Sequence, residues 1–381
     1  MKFLSVVGTR PNFMKLAPLA RELAKRMDVE HVVVHTGQHY DAVMSDAFFQ
    51  DLQIPAPKHA LAVGSGSHAS QTAAVLARIE PVLEAEQPDL VFVYGDVNST
   101  VAAALAAAKL QIRIAHVEAG LRSRDRTMPE EINRLVTDQL ADLLLAPSMD
   151  GVDNLRAEGV PASKIHFVGN IMIDALRAAL PSVEKRNVPA IYGVAGRKYI
   201  VATLHRPANV DDPVRLRELV SALDTLSQDR PVLFPVHPRT KQRMEALGLV
   251  PGPTSMLRVM SPLSYPEMLG LVAGAELVIT DSGGVQEETS YLGVPCLTVR
   301  PNTERPITCT QGTNRLVEST AVAILTAARA AVPARPGARP TIERWDGRTA
   351  ERIAAIVCDG ASFDDWHSEG VRAAAEALLG V

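Results

Sequence analysis

Residues 112–134 read IRIAHVEAGLRSRDRTMPEEINR, and the fold follows from this stretch. Ile112 and Ile114, on either side of Arg113, read as a short strand of a parallel sheet. Glu118, Arg122, Arg124, Asp125, Arg126, Glu130, Glu131 and Arg134 then crowd into one loop and the start of the next helix. That helix restarts at Pro129, where proline's fixed φ suits the first turn. A strand end that opens into carboxylates and arginines before a helix is where an open α/β sheet places its chemistry. On a helical wheel Ile132, Leu135, Val136 and Leu140 form a stripe expected to be buried, with Glu130 opposite, facing solvent or a cleft. The competing reading of so many charges is a wet loop whose ions pair among themselves, Arg122, Arg124 and Arg134 with the carboxylates.

Outward from there the same rhythm repeats. Short apolar runs at 2–7, 32–35, 90–94, 143–146 and 165–168 alternate with longer helical stretches, one of them (98–109) almost all alanine. The segment 181–197 mixes proline, glycine and charge and reads as a link. Runs at 199–203, 232–236, 257–260, 277–280 and 296–299 then restart the pattern. Such βαβ succession predicts parallel sheets. A chain of 381 residues exceeds what one core usually holds, so two domains are expected. The expected boundaries are 1–181 for the first, 182–362 for the second, and a last helix within 363–381. The segment 332–340, rich in proline and arginine, is expected as a surface loop.

Bulk properties narrow the function. A net charge of −4 with 4% aromatics offers neither a basic field nor stacking platforms for nucleic acid. No apolar run is long enough to span a membrane. The N-terminus lacks a signal-peptide pattern, and the cysteines, Cys296, Cys309 and Cys358, show no metal spacing; a reducing, cytoplasmic setting is the expectation. His35 and His39 are four apart, but Gly37 lies between them and no HExxH exists, so no metal site is expected.

Read at the strand ends, the loops fall into two sets. The first half offers Arg10, Lys15, Asp96, Glu118, Arg122 and Glu130, rich in acid/base candidates. The second offers His205, Arg206, His237, Arg239, Ser282, Gly283, Gly284, Glu287, Glu288, Arg300 and Arg305, rich in groups that suit anions. In DSGGVQEE, Ser282-Gly283-Gly284 enters a helix whose free N–H groups can hold a phosphate, and Glu287 or Glu288 one turn on can accept from ribose hydroxyls. The plainer alternative is a tight turn capped by Ser282. His205 and His237, each beside an arginine, suit a diphosphate. No GxxxxGK[ST] or GxGxxG follows any strand.

GTRPNFMK (8–15), TGQH (36–39), YGDVNST (94–100), HVEAGLRS (116–123), MPEEINR (128–134), TLHRPANVDD (203–212), PVHPRT (235–240), TDSGGVQEE (280–288), NTERP (302–306) and QGTNRLV (311–317) together resemble the non-hydrolysing UDP-N-acetylglucosamine 2-epimerase family. The motifs recur in order across nearly the whole chain. The resemblance implies a GT-B-like fold, two Rossmann-like domains facing across a cleft, with a final helix crossing back. It implies interconversion of UDP-GlcNAc and UDP-ManNAc by elimination of UDP and re-addition, with no metal or nicotinamide cofactor, in a cytoplasmic homodimer. Asp96, Glu118 and Glu130 would be the acid/base carboxylates, with the face each serves left open, and His205 would steady the leaving diphosphate. Arg10, Lys15, Arg122, Arg206, His237, Ser282, Gly283, Gly284, Glu288 and Arg305 would bind the UDP-sugar. The chain departs from the pattern at Ala208, where many relatives carry Glu. It departs again after Gln38-His39, where the segment that binds an activating second UDP-GlcNAc in some members is replaced. It is also shorter after Arg122, as in relatives that act on 2,3-diacetamido uronic acids. The alternatives are an epimerase of another UDP-sugar, a hydrolysing epimerase, or, from another class, a GT-B glycosyltransferase.

Overall fold

The computed structural model describes residues 1–38, 54–249, 251–252, 255–331 and 340–359. The first half builds a seven-stranded sheet from β1 (Lys2–Val7), β2 (Glu30–His35), β3 (His59–Ala60), β4 (Leu90–Tyr94), β5 (Arg113–Val117), β6 (Leu143–Ala146) and β7 (Ile165–Phe167). The second builds a six-stranded sheet from β8 (Ile200–Thr203), β9 (Val232–Pro235), β10 (Leu257–Met260), β11 (Leu277–Thr280), β12 (Cys296–Val299) and β13 (Asn314–Val317). The orders are β3-β2-β1-β4-β5-β6-β7 and β10-β9-β8-β11-β12-β13, every pairing parallel. In each sheet the order reverses beside the first strand, and that crevice is where open α/β sheets take ligands.

Strands such as β4, LVFVY, are buried at every position, because helices cover both faces. On one face of the first sheet Phe3, Phe92 and Tyr94 pack with Phe13, Leu16 and Leu19. On the other, Leu4, Val6 and Val93 meet Ile79, Leu83 and the alanines 103, 104, 106 and 107. Those alanines let helix Asn98–Lys109 lie close to the sheet, as expected from its composition.

Several expectations are corrected. His116 lies within β5 rather than beyond its end. β3 and β13, which have no clear apolar signature, are strands as well. The stretch from 181 is not a loose link: helix Ile171–Arg186 runs through Pro181, and its Leu176 and Val183 pack with Leu269 of the second half. The chain also returns to the first domain before 363. Ala350, Ile353, Ala354 and Val357 of helix Thr349–Asp359 join the first domain's core, so the second domain ends earlier than 362. The expected loop at 332–340 (but for Pro340) and helix within 363–381 lie outside the described residues.

Helix Pro129–Leu140 turns half of its apolar stripe outward, although Leu140 still packs on the core. Its buried residues are Glu131, Asn133, Arg134, Thr137 and Asp138, while Ile132 and Val136 are 37% and 39% exposed. Each inward charge has an ionic partner nearby, and leaving any of them unpaired in the interior would cost more than exposing two aliphatic side chains.

Candidate active site

Between the sheets lies a cavity of about 410 Å³, a size suited to a nucleotide-sugar-like ligand. Its lining includes Arg10, Lys15, Asp96, Glu118, Glu130, His205, Arg206, Ser282, Gly283, Gly284, Glu288 and Arg305. All are residues singled out in the sequence, and they come from both halves. Pro11, Glu287, Glu304, Arg134, Tyr265, Met14, Met128 and Met172 complete it.

The first wall is built on the ends of β1, β4 and β5. Glu118 follows β5 with φ +78°, a region costly for a residue with a Cβ. Its amide and that of Ala119 donate to Leu145 O at 3.1 and 3.2 Å, fixing the turn. Glu118 Oε2 meets Lys15 Nζ, and Oε1 accepts from Arg305 Nη2 at 2.9 Å. The latter contact joins the two domains. Burial alone would raise the pKa of Glu118; Lys15 and Arg305 outweigh it and hold the group below the ordinary carboxylate range. Gly95 makes room for this pair, since a Cβ there would lie 2.6 Å from Lys15 Nζ.

Asp96 behaves in the opposite sense. Desolvation within the cleft raises its pKa, opposed by Arg134 and reinforced by the nearby charge of Glu118. Arg134 Nη1 pairs with Asp96 Oδ2, and Asn133 Nδ2 donates to Asp96 O at 2.9 Å. Both come from the buried polar face of helix Pro129–Leu140, which also starts with Glu130 at the cavity. Two neighbouring carboxylates with oppositely displaced pKa values can divide acid and base duties.

The second wall is built on the ends of β8, β11 and β12. Helix Gly283–Leu292 points its N-terminus at the cavity, and the Ser282 hydroxyl makes no capping bond to it. This removes the alternative of a merely capped turn and leaves free N–H groups with a positive dipole end. A Cβ at Gly283 would sit 2.7 Å from both Arg305 Nη1 and Glu304 Oε1, so a larger residue there would have to displace that ion pair. His205 is half exposed, and its Nδ1 lies 2.9 Å from Asp281 Oδ1. Asp281, fully buried, also accepts from the amides of His205 and Arg206 and from Asn209 Nδ2. The ring is thereby oriented from behind. Arg305 pairs with Glu118, Glu287 and Glu304. Burial lifts the pKa of Glu288 to about 7, with Tyr265 opposing and Glu287 adding to the lift.

Two expected ligand groups stand elsewhere. Arg122 is buried behind the wall, where its Nη1 pairs with Asp138 Oδ2 at 2.7 Å and its Nε and Nη2 donate to Glu158 at 2.8 and 2.7 Å. Held there by two carboxylates, Arg122 is not on the cavity lining. His237 caps helix Pro238–Ala246, accepting from the Arg239 amide at 3.3 Å, and is not on the cavity lining.

Other residues matter that the sequence left aside. Glu131 accepts from the Ser123 amide and hydroxyl at 2.9 and 3.0 Å, from the Arg124 amide at 2.8 Å and from Arg134 Nη2 at 2.7 Å. It organises the short segment 123–128. Asp281 and Glu304 sit within quoted motifs; only their burial, invisible in the sequence, marks their roles. A second cavity of about 260 Å³ shares Asp96 and Glu130, and Gln38, His68, Gln71, Asn98 and Asn133 are among its other lining residues. His39 and Asp41, beside Gln38, lie outside the described residues. Among the described residues no cluster of potential metal ligands was found, and no helix is long and apolar enough to cross a membrane.

The family model for UDP-N-acetylglucosamine 2-epimerase matches residues 21–358. The chain belongs to this family. It is 42% identical to the UDP-N-acetylglucosamine 2-epimerase of Methanocaldococcus jannaschii over 94% of this chain and all of that one. It is 44% identical to the UDP-2,3-diacetamido-2,3-dideoxy-D-glucuronate 2-epimerase of Pseudomonas aeruginosa over 86% of this chain and 92% of that one. The crystal structure of the M. jannaschii enzyme in complex with UDP-GlcNAc and UDP superimposes with a TM-score of 0.86 at 41% identity, covering 94% of this chain and 100% of that chain. The GT-B-like arrangement expected for the family is the one observed: two parallel-sheet α/β domains across a cleft.

Proposed function

We propose that this epimerase interconverts UDP-GlcNAc and UDP-ManNAc without hydrolysis. A carboxylate removes the C2 proton as the C1–O bond breaks, leaving a C1=C2 double bond and free UDP in the cleft. UDP then re-adds to C1 on the face it left, while a proton reaches C2 from the opposite face. The observation that carries this reading is the pairing, in one cavity, of Asp96 and Glu118, with oppositely shifted pKa values, and an anion-suited wall of His205, Ser282 and Gly283.

In this reading Glu118 enters ionised and acts as the base, and Asp96 holds and delivers the second proton. Pairing with Lys15 and Arg305 keeps Glu118 ionised but weakens it as a base, so that pairing loosens as substrate enters. Glu130 lies at the edge of the same cavity and serves the sugar side. Arg10, Lys15 and Arg206 neutralise the diphosphate, His205 supports its departure, and Glu288 accepts from the ribose. Preorganised donors aimed at developing charge are worth roughly 3–4 kcal/mol each.

The identity with the P. aeruginosa relative favours one second reading, C2 epimerisation of a UDP-2,3-diacetamido uronic acid. Incubation with each UDP-sugar in D₂O, followed by proton NMR, separates the readings. Deuterium at C2 with appearance of UDP-ManNAc is expected. Exchange only with the uronic acid would transfer the reading to that substrate; free ManNAc would mean hydrolysis; no exchange with either would refute epimerisation.

We further infer a cytoplasmic homodimer. Three unpaired cysteines support a reducing compartment. The outward stripe of Ile132 and Val136 supports a contact between copies. Ile132→Glu is expected to give a monomer in sedimentation equilibrium; an unchanged mass would exclude that face.

A further inference from the structure

Behind the first wall lies a polar cluster that the chemistry above does not use. His116, in β5, and Asp138, in helix Pro129–Leu140, are both fully buried. His116 Nδ1 lies 2.6 Å from Asp138 Oδ1, and Nε2 lies 2.8 Å from Gly95 O. Asp138 Oδ2 accepts from the Gly120 amide at 3.0 Å and meets Arg122 Nη1 at 2.7 Å.

The partners of the ring fix its protonation. A carbonyl oxygen only accepts, so Nε2 must carry a hydrogen. Asp138 already takes a backbone N–H and a guanidinium, which stabilise its ionised form, so Nδ1 must donate as well. A histidine donating from both nitrogens is an imidazolium. Its charge is balanced in place by Asp138, and Arg122 is balanced in turn by Glu158.

The geometry also shows what the cluster holds. Gly95 immediately precedes Asp96, and its amide donates to Val117 O at 3.0 Å. Gly120 comes two residues after Glu118, with φ +83°. A Cβ there would run into the Gly151 backbone, 2.8 Å from its carbonyl carbon. Asp138 shares a helix with Glu130, and with Arg134, which grips Asp96. One histidine–aspartate pair thus touches the segments of all three acid/base candidates.

We propose that His116 is a buried positioning residue, donating from both ring nitrogens, that with Asp138 sets the distance between Asp96 and Glu118. It touches no substrate. It acts by fixing the Gly95 carbonyl on one side and, through Asp138, the Gly120 amide on the other. This inference rests on the epimerase reading for its kinetic arm only.

Two measurements test it. In protein with ¹⁵N-labelled histidine, the His116 ring is expected to show two protonated nitrogens near neutral pH; a ring with one protonated nitrogen overturns the proposal. In His116→Gln, one amide cannot serve both acceptors with a charge. The C2 exchange kcat is expected to fall about 100-fold, the cost of misplacing groups by about 1 Å. KM and UDP affinity should stay within about twofold, because the second wall is untouched. Unchanged kcat in a folded variant overturns the clamp. If the variant does not fold, the wild-type nitrogen spectrum decides alone. Wild-type protein lacking exchange on either UDP-sugar would instead refute the epimerase reading.

Discussion

On the first wall of the cleft the charges are spoken for before any ligand arrives. Glu118 meets Lys15, Asp96 meets Arg134, and behind them Glu131, Asp138 and His116 tie the loops to one helix. On the second wall Arg305 is likewise paired, but two other anion-suited groups face the cleft. His205 stands half exposed on its buried Asp281, and the helix at Gly283 offers its N-terminus to the cavity. The difference matches the tasks. Proton transfer needs carboxylates held to fractions of an ångström in a dry setting, whereas capture of a diphosphate needs donors whose partner is the ligand itself. Arg305 belongs to the second domain yet pairs with Glu118 of the first, so one ion pair links the two walls.

The comparison breaks most visibly at Glu118. Glu118→Gln should lower C2 exchange by about 10³-fold, within the range for losing a general base, while UDP affinity changes little. Comparable loss of UDP binding, by calorimetry, would mean the walls are not separable. On the other side, His205→Gln should reduce kcat by about 10²-fold, as for removal of one preorganised donor, with C2 exchange and epimerisation slowed together. A variant that exchanges at the wild-type rate would remove His205 from the departing diphosphate.

Smaller effects sharpen the picture. Gly283→Ala pushes a methyl against Arg305 and Glu304; overpacking of this kind costs about 1–3 kcal/mol, so UDP affinity should fall roughly tenfold. Affinity at the wild-type level would place the diphosphate away from this turn. The smallest effect is a fraction of a proton. With its pKa near 7, Glu288 is about half protonated at neutral pH in the free protein. Ribose hydroxyls that donate to it favour the ionised form. Binding should therefore release about half a proton near pH 7, visible as a buffer-dependent calorimetric heat that Glu288→Gln lacks. The sign for stability is opposite to that of a paired acid. A raised carboxylate pKa stabilises the fold below the unfolded value near 4.5, and that contribution fades as pH rises through about 7. Proton uptake on binding, or none, would contradict the role given to Glu288.

The sequence was most legible where physics ties residue type to place. Loops at the carboxyl ends of strands must hold the ligand groups, so reading only those loops found Arg10, Asp96, Glu118, Ser282 and Gly283 in one cavity. It was least legible where burial of charge overrides periodicity. The Ile132 and Val136 stripe predicts an inward face, but Glu131, Arg134 and Asp138 take that face because their partners are inside. Arg122 failed for the same reason: nothing local shows that Asp138 and Glu158 claim it. The Arg305–Glu118 pair joins positions 187 apart, a distance that no local pattern encodes. β3 and β13 escaped because His59-Ala60 and Asn314-Arg315-Leu316-Val317 mix polar with apolar residues and form no apolar run.

The central claim is that the proton leaves toward the first wall while the C1–O bond breaks toward the second. Labelling the oxygen that bridges the sugar and the β-phosphorus of UDP-GlcNAc with ¹⁸O, and following ³¹P NMR in D₂O, observes both events in one sample. The account predicts that ¹⁸O moves from the bridging to the non-bridging β-phosphoryl positions as deuterium enters C2. Deuterium at C2 with the label fixed in the bridge would contradict it, since the proton would then have moved without departure of UDP.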